Sequence, residues 1–215
     1  AIRKGADVRI INTITQSAAD SVLVAMPKSP INTMKDLKGK SIAITRPRGW
    51  SEMLAILAVE KSGLPANSVK RPALGSLGAA LTGLKDGVVQ AAPFIEPYLS
   101  MARSKYKVVF DGATLPPMVR AVGIATTAYI KKHPDRLRAI LKARSMAVAK
   151  MYSDPAASAK AVKKYFPRVP EKALASGIAV MAKGNFWSKD GKFDIAAMDR
   201  MLDGLRAIGA LEGAV

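Results

Sequence analysis

The chain has 215 residues, 49% of them hydrophobic, which is enough to bury the core of one large domain or of two small lobes. Its 34 lysines and arginines against 16 aspartates and glutamates give a formal net charge of +18, which favours anionic partners: nucleic acid, acidic lipid, or small carboxylates and sulfonates. The absence of cysteine excludes disulfides, thiolate nucleophiles and cysteine-ligated zinc. No apolar run approaches the roughly 18–20 residues that span a membrane, and the first ten residues are not typical of a secretory signal.

Two strand-like segments come first, and from Lys40 to residue 117 strand-like and helix-like segments alternate. Most of the predicted strands are apolar and rich in β-branched residues, and they cover residues 8–14, 21–26, 41–44, 69–74, 88–94 and 107–110. Helices are predicted at residues 51–61, 77–87 and 96–104. This alternation predicts an α/β fold built from βαβ units, with a parallel twisted sheet covered on both faces.

The pattern becomes helical in the last third of the chain. Residues 119–130 are still strand-like, but helices are predicted at 133–152, 154–166, 171–183 and 194–211. Asp135 is the expected N-cap of the first of these helices. The last helix has one apolar stripe, formed by Ile195, Met198, Leu202, Leu205 and Ile208.

Catalytic, metal and cofactor motifs are nearly absent. His133 is the only histidine, and no acidic cluster accompanies it, so we interpret it as a solvated residue before a helix rather than as a metal ligand. The chain has no G-x-S-x-G, G-x-G-x-x-G or G-x-x-x-x-G-K-[ST] motif. The sequence therefore predicts neither an enzyme nor a bound cofactor or metal.

The turn RPRGWS, residues 46–51, joins a buried strand to an apolar helix and carries more chemistry than a turn requires. Gly49 allows a ligand to approach the backbone, Ser51 is the expected N-cap, and helix N-termini bind anions. The alternative is that Ser51 only caps the helix while Arg46 and Arg48 are solvated. The next predicted helix begins in a similar way, at Gly75–Ser76.

Half of the excess positive charge lies in residues 131–172, where twelve lysines and arginines face three acidic residues, a net of +9. These charges interleave with apolar positions, as on the solvated face of an amphipathic helix. A groove for nucleic acid would also need aromatic side chains to stack on bases, and only Tyr152, Tyr165 and Phe166 are available. Nucleic acid is therefore not the expected partner.

Several motifs in a fixed order resemble the substrate-binding proteins of nitrate/sulfonate/taurine-type ABC importers, a family with thiamine-precursor-binding relatives. They are S-P-I-x-x-x-x-D-L-K-G-K at residues 29–40, G-L at 63–64, L-x-x-G-x-V-x-A-A at 84–92 and E-P-Y at 96–98. The helical tail beginning KKHPDRLRAIL is also similar to the C-terminal part of that family. The resemblance covers nearly the whole chain.

The resemblance implies a bilobed, periplasmic-binding-protein-like (type II) fold with parallel or mixed sheets and a helical C-terminal tail. Residues 1–26 would form part of the first lobe, residues 40–117 the second lobe, and residues 119–215 the return to the first lobe with the C-terminal helices. Family members begin with a further strand-helix-strand section. We therefore expect either a missing segment or a second chain, as in a dimer, to cover the first lobe.

The same resemblance, taken residue by residue, nominates a ligand site in the cleft between the lobes. Its expected residues are Thr15, Gln16, Thr45, Arg46, Arg48, Gly49, Trp50, Ser51, Gly75, Ser76, Phe94 and Glu96. The two arginines favour an organic anion such as a sulfonate or carboxylate, and Trp50 would stack on its body. Glu96 would either bind an amine of the ligand or pair with a lysine.

The function implied is that of a periplasmic solute receptor without catalytic activity, which delivers a small organic anion to a membrane permease. Two alternatives share the architecture. One is the effector-sensing domain of a transcription regulator, and the other is a pyrimidine-precursor-type enzyme, which would need a reactive histidine or cysteine in the cleft.

Overall fold

The computed structural model describes residues 5–212. In this range, five strands and three α-helices lie before residue 127, and five further α-helices follow. The strands are β1 (Val8–Thr15), β2 (Ser21–Ala25), β3 (Ala92–Ile95), β4 (Lys107–Asp111) and β5 (Ala121–Thr126). The helices are α1 (Trp50–Lys61), α2 (Leu77–Lys85), α3 (Tyr98–Ala102), α4 (Thr127–Lys132), α5 (Pro134–Ser153), α6 (Pro155–Val162), α7 (Glu171–Lys183) and α8 (Ile195–Ala207).

The strands form two sheets. β1 pairs with β5 in one sheet, and β2 lies between β3 and β4 in the other, with all three pairings antiparallel. Parallel bridges of Ser41 with Lys70, Ile42 with Ala91 and Ile44 with Ala73 extend the second sheet beyond β3. The sheet is therefore mixed, and the segments predicted as strands at 41–44 and 69–74 contribute only these bridges.

β2 precedes residues 40–117 along the chain, but it lies in the same sheet as β3 and β4, which belong to that segment. All five of its residues are buried, which is typical of a central strand, and Val22 and Leu23 pair with Phe94 and Phe110 on either side. Residues 1–26, expected from the sequence to form part of the first lobe, therefore include a strand of the sheet that also contains β3 and β4. The chain passes between the two sheets at residues 16–20 and returns at 112–120.

Both faces of the three-stranded sheet are covered, as the sequence predicts. One face packs with α1 around Leu23, Ile42 and Leu54, and the other packs with α2 around Val24 and Leu84. α1 is largely buried because α8 lies over it, with Ile208 packed against Met53 and Ile56. A separate core joins α6 to α7, with Ala159, Leu174 and Ile178 at its centre.

Two details of the helical region differ from the sequence predictions. The N-cap of α5 is His133 and not Asp135, because Pro134, with its fixed φ, occupies the first helical position. The strand predicted at 119–130 ends at Thr126, whose side chain accepts the amide of Tyr129 and starts α4. The apolar stripe of α8 is only partly covered, and Ile195 is 75% exposed.

Within residues 5–212, no helix is both long enough and apolar enough to cross a membrane.

Candidate functional site

A cavity of about 280 Å³ lies beside the N-terminus of α1, and we call it the α1 cavity. It opens where α1 and α2 begin, beside β2 and β3 and the residue that precedes β5. Its lining consists of Asp20, Ser21, Thr45, Arg46, Trp50, Ser51, Leu54, Leu77, Pro93, Ile95 and Arg120. The lining therefore includes both polar or charged side chains and aliphatic ones.

The conformation of the turn before α1 is stabilised by a left-handed backbone residue and by the carboxylate of Glu52. Arg48 has a positive φ of 57°, and its amide donates to Glu52 Oε2 at 2.6 Å. The N-cap is Gly49, in an extended conformation, and not Ser51 as predicted. Gly49 fits there because a Cβ would lie 3.1 Å from Cγ of Arg46.

Ser51 joins the strand-like segment to the helix instead of capping it. Its Oγ accepts the amide of Thr45 at 2.9 Å and lies 2.9 Å from Thr45 Oγ1. Both residues line the α1 cavity, at the N-terminus of a twelve-residue helix whose first amides have no partner within the helix. This wall of the cavity offers hydrogen-bond donors to an anion.

The side chains of the two arginines in the turn extend to different places. Arg46 is exposed and lines the α1 cavity. Arg48 does not line it, and its side chain reaches towards the end of α8, where a Cβ on Gly209 would lie 3.8 Å from Nε of Arg48. Only Arg46 is therefore placed to meet a ligand in this cavity.

Trp50 is held inside the protein by two contacts. Its indole N–H donates to Ser21 Oγ at 3.0 Å, and the guanidinium of Arg120 lies 3.8 Å from the centroid of its ring. Arg120 forms an ion pair with Asp20, which also accepts the hydroxyl of Ser21 at 2.8 Å. One face of the indole is thus already covered, by a protein cation.

The Arg120–Asp20 pair is largely withdrawn from solvent, with side-chain exposures of 13% and 17%. Arg120 also donates to the carbonyl oxygen of Ser17 at 3.3 Å, and its guanidinium lies 5.8 Å from the ring of Phe186. These contacts fix a cation and a carboxylate in the wall of the α1 cavity.

Gly75 and Ser76 lie near the α1 cavity but do not line it. Gly75 has a φ of +88°, and its amide donates to the carbonyl of Thr45 at 2.9 Å. Ser76 is the N-cap of α2, as its side chain accepts the amide of Ala79 at 3.1 Å. The following residue, Leu77, does reach the cavity.

Phe94 and Glu96 point away from the α1 cavity. Phe94 is buried and packs edge-on against Tyr106, at 5.2 Å between ring centroids, while its neighbours Pro93 and Ile95 line the cavity from the opposite face of β3. Glu96 is buried beneath α3, and its Oε2 accepts the amide of Ser100 at 3.0 Å.

Thr15 is the last residue of β1, and Gln16 is the first residue of the crossing between the sheets. Thr15 is buried and pairs with Ala121 at the end of β1. Gln16 lines a different cavity, of about 240 Å³, together with Lys183 and Asn185. Neither residue lines the α1 cavity.

Several lining residues were missed by the sequence analysis. Asp20 directly precedes a predicted strand and Arg120 lies at the start of another, but their pairing across 100 residues leaves no local signal. Pro93 and Ile95 could have been predicted from the alternation of side chains along β3, because they lie on the opposite face of the strand from Phe94.

Metal chemistry finds no support in the described range, residues 5–212, where no group of three or more histidine, cysteine or acidic side chains is suitably placed for an ion. His133 lies at the start of α5, with its ring 5.0 Å from that of Tyr129, and does not line the α1 cavity.

Comparison with known proteins identifies one family model, described as NMT1/THI5 like, which matches residues 1–158. No curated protein matches the chain. The periplasmic aliphatic sulphonate binding protein SsuA from Escherichia coli is 25% identical, with a TM-score of 0.72 over 84% of this chain and 61% of that one.

Two more solved structures share the fold. The alkanesulfonate-binding protein SsuA from Xanthomonas axonopodis pv. citri, bound to MOPS, is 18% identical, with a TM-score of 0.73 over 98% of this chain and 72% of that one. The desulfurization enzyme DSZB is 14% identical, with a TM-score of 0.72 over 98% of this chain and 75% of that one. The periplasmic-binding-protein fold predicted from the sequence is therefore confirmed, in a chain that spans 61% of the length of the Escherichia coli protein.

Proposed function

This chain belongs to the NMT1/THI5-like family, and from that premise we propose that it is the solute-binding receptor of an ABC importer, with a small organic anion as its ligand. Two of the similar structures are sulfonate-binding proteins, one of them described as periplasmic. We extend that role to this chain, with a membrane permease as its partner and the periplasm as its location.

The observation that carries the proposal is the mixed lining of the α1 cavity. It combines Arg46 and the first residues of α1 with the aliphatic side chains of Leu54, Leu77 and Ile95. Cations and helix N-termini bind anionic oxygens through charge-assisted hydrogen bonds. An anion with a short aliphatic body matches both kinds of lining.

The proposed pose places the anionic head between Arg46 and the first amides of α1, close to the hydroxyls of Thr45 and Ser51. The body then extends along Leu54 and Leu77. Trp50 does not need to stack on the ligand, because its indole is already engaged by Arg120 and Ser21. The cavity volume of about 280 Å³ is small among ligand sites, which favours compact solutes.

The two sheets would mark the two lobes, with the α1 cavity in the cleft between them. Their connections run at residues 16–20 and 112–120, where the amide of Met118 donates to the carbonyl of Gln16 at 2.9 Å. We propose that closure over the ligand is a hinge motion at these two connections.

A receptor is favoured over an enzyme of the same fold by the composition of the cavity. The hydroxyls of Ser21, Thr45 and Ser51 are present, but among the lining residues there is no histidine or cysteine to act as base or nucleophile. At 14% identity, the likeness to the desulfurization enzyme is one of fold.

The test is a calorimetric titration of the chain with ethanesulfonate, butyrate and nitrate. We expect saturable binding of at least one organic anion, and Arg46→Gln should weaken it by about tenfold or more because a charge-assisted hydrogen bond is lost. Arg48→Gln is the matched control, since Arg48 lies on the same turn but outside the cavity.

Equal losses in the two variants would show that the effect is one of general charge rather than of this cavity. If no organic anion binds the chain, the proposed function is wrong.

A further inference from the structure

A closed cycle of contacts holds a carboxylate in the wall of the α1 cavity. The indole N–H of Trp50 donates to Ser21 at 3.0 Å, and Ser21 donates to Asp20 at 2.8 Å. Asp20 in turn accepts from Arg120, whose guanidinium stacks on Trp50 at 3.8 Å. Each member is positioned by two others, so the carboxylate is fixed beside the space that the ligand would occupy.

A carboxylate is unexpected in the wall of an anion site, because by itself it repels the ligand. Three of the lining side chains are charged: Arg46 and Arg120 are positive and Asp20 is negative. Because Asp20 neutralises Arg120, the cavity presents a net charge of one positive unit, which is supplied by Arg46. Among the residues that the structure describes, Arg46 has no ion-pair partner.

Resting on the proposed function, we propose that Asp20 is a specificity-determining residue that selects singly charged anions, such as sulfonates and carboxylates, over doubly charged ones such as sulfate. A monoanion balances the cavity's net charge of one positive unit. A dianion would leave one negative charge uncompensated beside the largely buried Asp20, where electrostatic interactions are stronger than in water.

The experiment compares two sulfur oxyanions of different charge, the monoanion ethanesulfonate and the dianion sulfate. The measured quantity is the ratio of their Kd values, obtained by calorimetry on the whole chain. The wild-type chain should bind ethanesulfonate more tightly. Asp20→Asn adds one positive unit to the cavity and should shift the ratio towards sulfate by about tenfold or more.

A second variant should move the ratio in the opposite direction. Arg120→Gln leaves Asp20 without its partner, so the cavity loses its net positive charge and sulfate binding should suffer more than ethanesulfonate binding. This variant keeps the proposal testable if Asp20→Asn does not fold, which far-ultraviolet circular dichroism of both variants will establish. Asp135→Asn is the matched control, because Asp135 forms its ion pair with Arg138 on α5, outside the cavity.

Three results overturn the proposal. If Asp20→Asn leaves the ratio unchanged, or changes it no more than Asp135→Asn does, Asp20 does not select by charge while the receptor function stands. If Arg120→Gln shifts the ratio towards sulfate, the charge count of the cavity is wrong. If the wild-type chain binds neither anion nor any other organic anion, the proposed function fails and this inference fails with it.

Discussion

Trp50 connects three parts of the α1 cavity through two kinds of contact. Its N–H reaches Ser21 at the start of β2, its ring face meets Arg120 before β5, and its backbone begins α1. The ring also packs against the core between α1 and the sheet. The residue therefore acts on the shape of the cavity even if it never touches a ligand.

The bond between Trp50 and Ser21 can be measured by a double-mutant cycle. Trp50→Phe keeps an aromatic ring over the core and removes the N–H, and Ser21→Ala removes the acceptor. We expect a coupling of about 1 kcal/mol between the two substitutions in urea unfolding, because both remove one largely buried hydrogen bond. Strictly additive effects on the free energy of unfolding would show that the bond contributes nothing to stability.

At the scale of single residues, the sequence allowed only neighbours along one segment to be nominated together. Thr45, Arg46, Trp50 and Ser51 were nominated together from one strand-turn-helix segment, and all four line one cavity. Asp20 and Arg120 were not predicted, because a pair separated by 100 residues depends on how the sheets are connected. The direction of the Arg48 side chain could not be predicted either, because it depends on the positive φ of Arg48 and on the position of the end of α8.

The helices form close to where the sequence predicts them, because capping residues and prolines mark their ends. α6 is an example: Asp154 accepts the amide of Ala157 at 2.9 Å, and Pro155 occupies the first turn. Edge segments of the sheet were less predictable. Residues 41–44 and 69–74 have strand-like composition, yet only isolated bridges form there, and Pro72 is one reason, since proline has no amide to donate.

Asp154 makes the stability of the helical region dependent on pH. The amide of Ala157, and then Lys150 at 2.8 Å, lower the pKa of Asp154 below its ordinary value. A group whose pKa is lowered on folding stabilises the protein above its unfolded pKa, and this contribution is lost as the pH falls through the folded value. Asp154→Ala should lower the Tm by about 2–4 °C at pH 7.

The difference between Asp154→Ala and the wild-type chain should narrow as the pH falls below about 4, in thermal unfolding followed by circular dichroism. Asp135→Ala, which removes an exposed carboxylate from the first turn of α5, is the control and should have a smaller effect at pH 7. A Tm difference that persists unchanged to pH 2 would contradict the role of the ionised cap.

At the scale of the whole molecule, the helical region meets the first crossing between the sheets at a place without space for a side chain. Ser17 donates to the carbonyl of Gly184 at 2.7 Å, at the end of α7. A Cβ on Gly184 would overlap the Cβ of Ala19. The close approach of these two segments therefore depends on glycine.

Gly184→Ala should lower the free energy of unfolding by about 1–3 kcal/mol, because the crossing and the end of α7 must move apart. Gly78→Ala is the control: Gly78 lies within α2, where the nearest atom to an added Cβ is 3.8 Å away, and alanine favours the helix. Urea unfolding measures both variants. Equal stability of Gly184→Ala and the wild-type chain would mean that the two segments are not packed this tightly.

The order of the strands was the largest difference from the sequence prediction. Strands that alternate with helices predicted a parallel sheet, and the bridges at residues 41–44 are indeed parallel. β2, however, comes from before this alternating segment and enters between β3 and β4 in the antiparallel sense. Local patterns do not contain this information, because a buried strand has the same composition in either direction.

The position of β2 also determines where this protein can be divided. Residues 40–117 look like a self-contained unit along the chain, but a fragment cut at these positions would lose the strand that joins β3 to β4. The backbone N–H and C=O groups of β3 and β4 that bond to β2 would then be unpaired, and they could pair with a strand of another molecule. A dissection that respects the structure must therefore carry residues 21–25 along with 40–117.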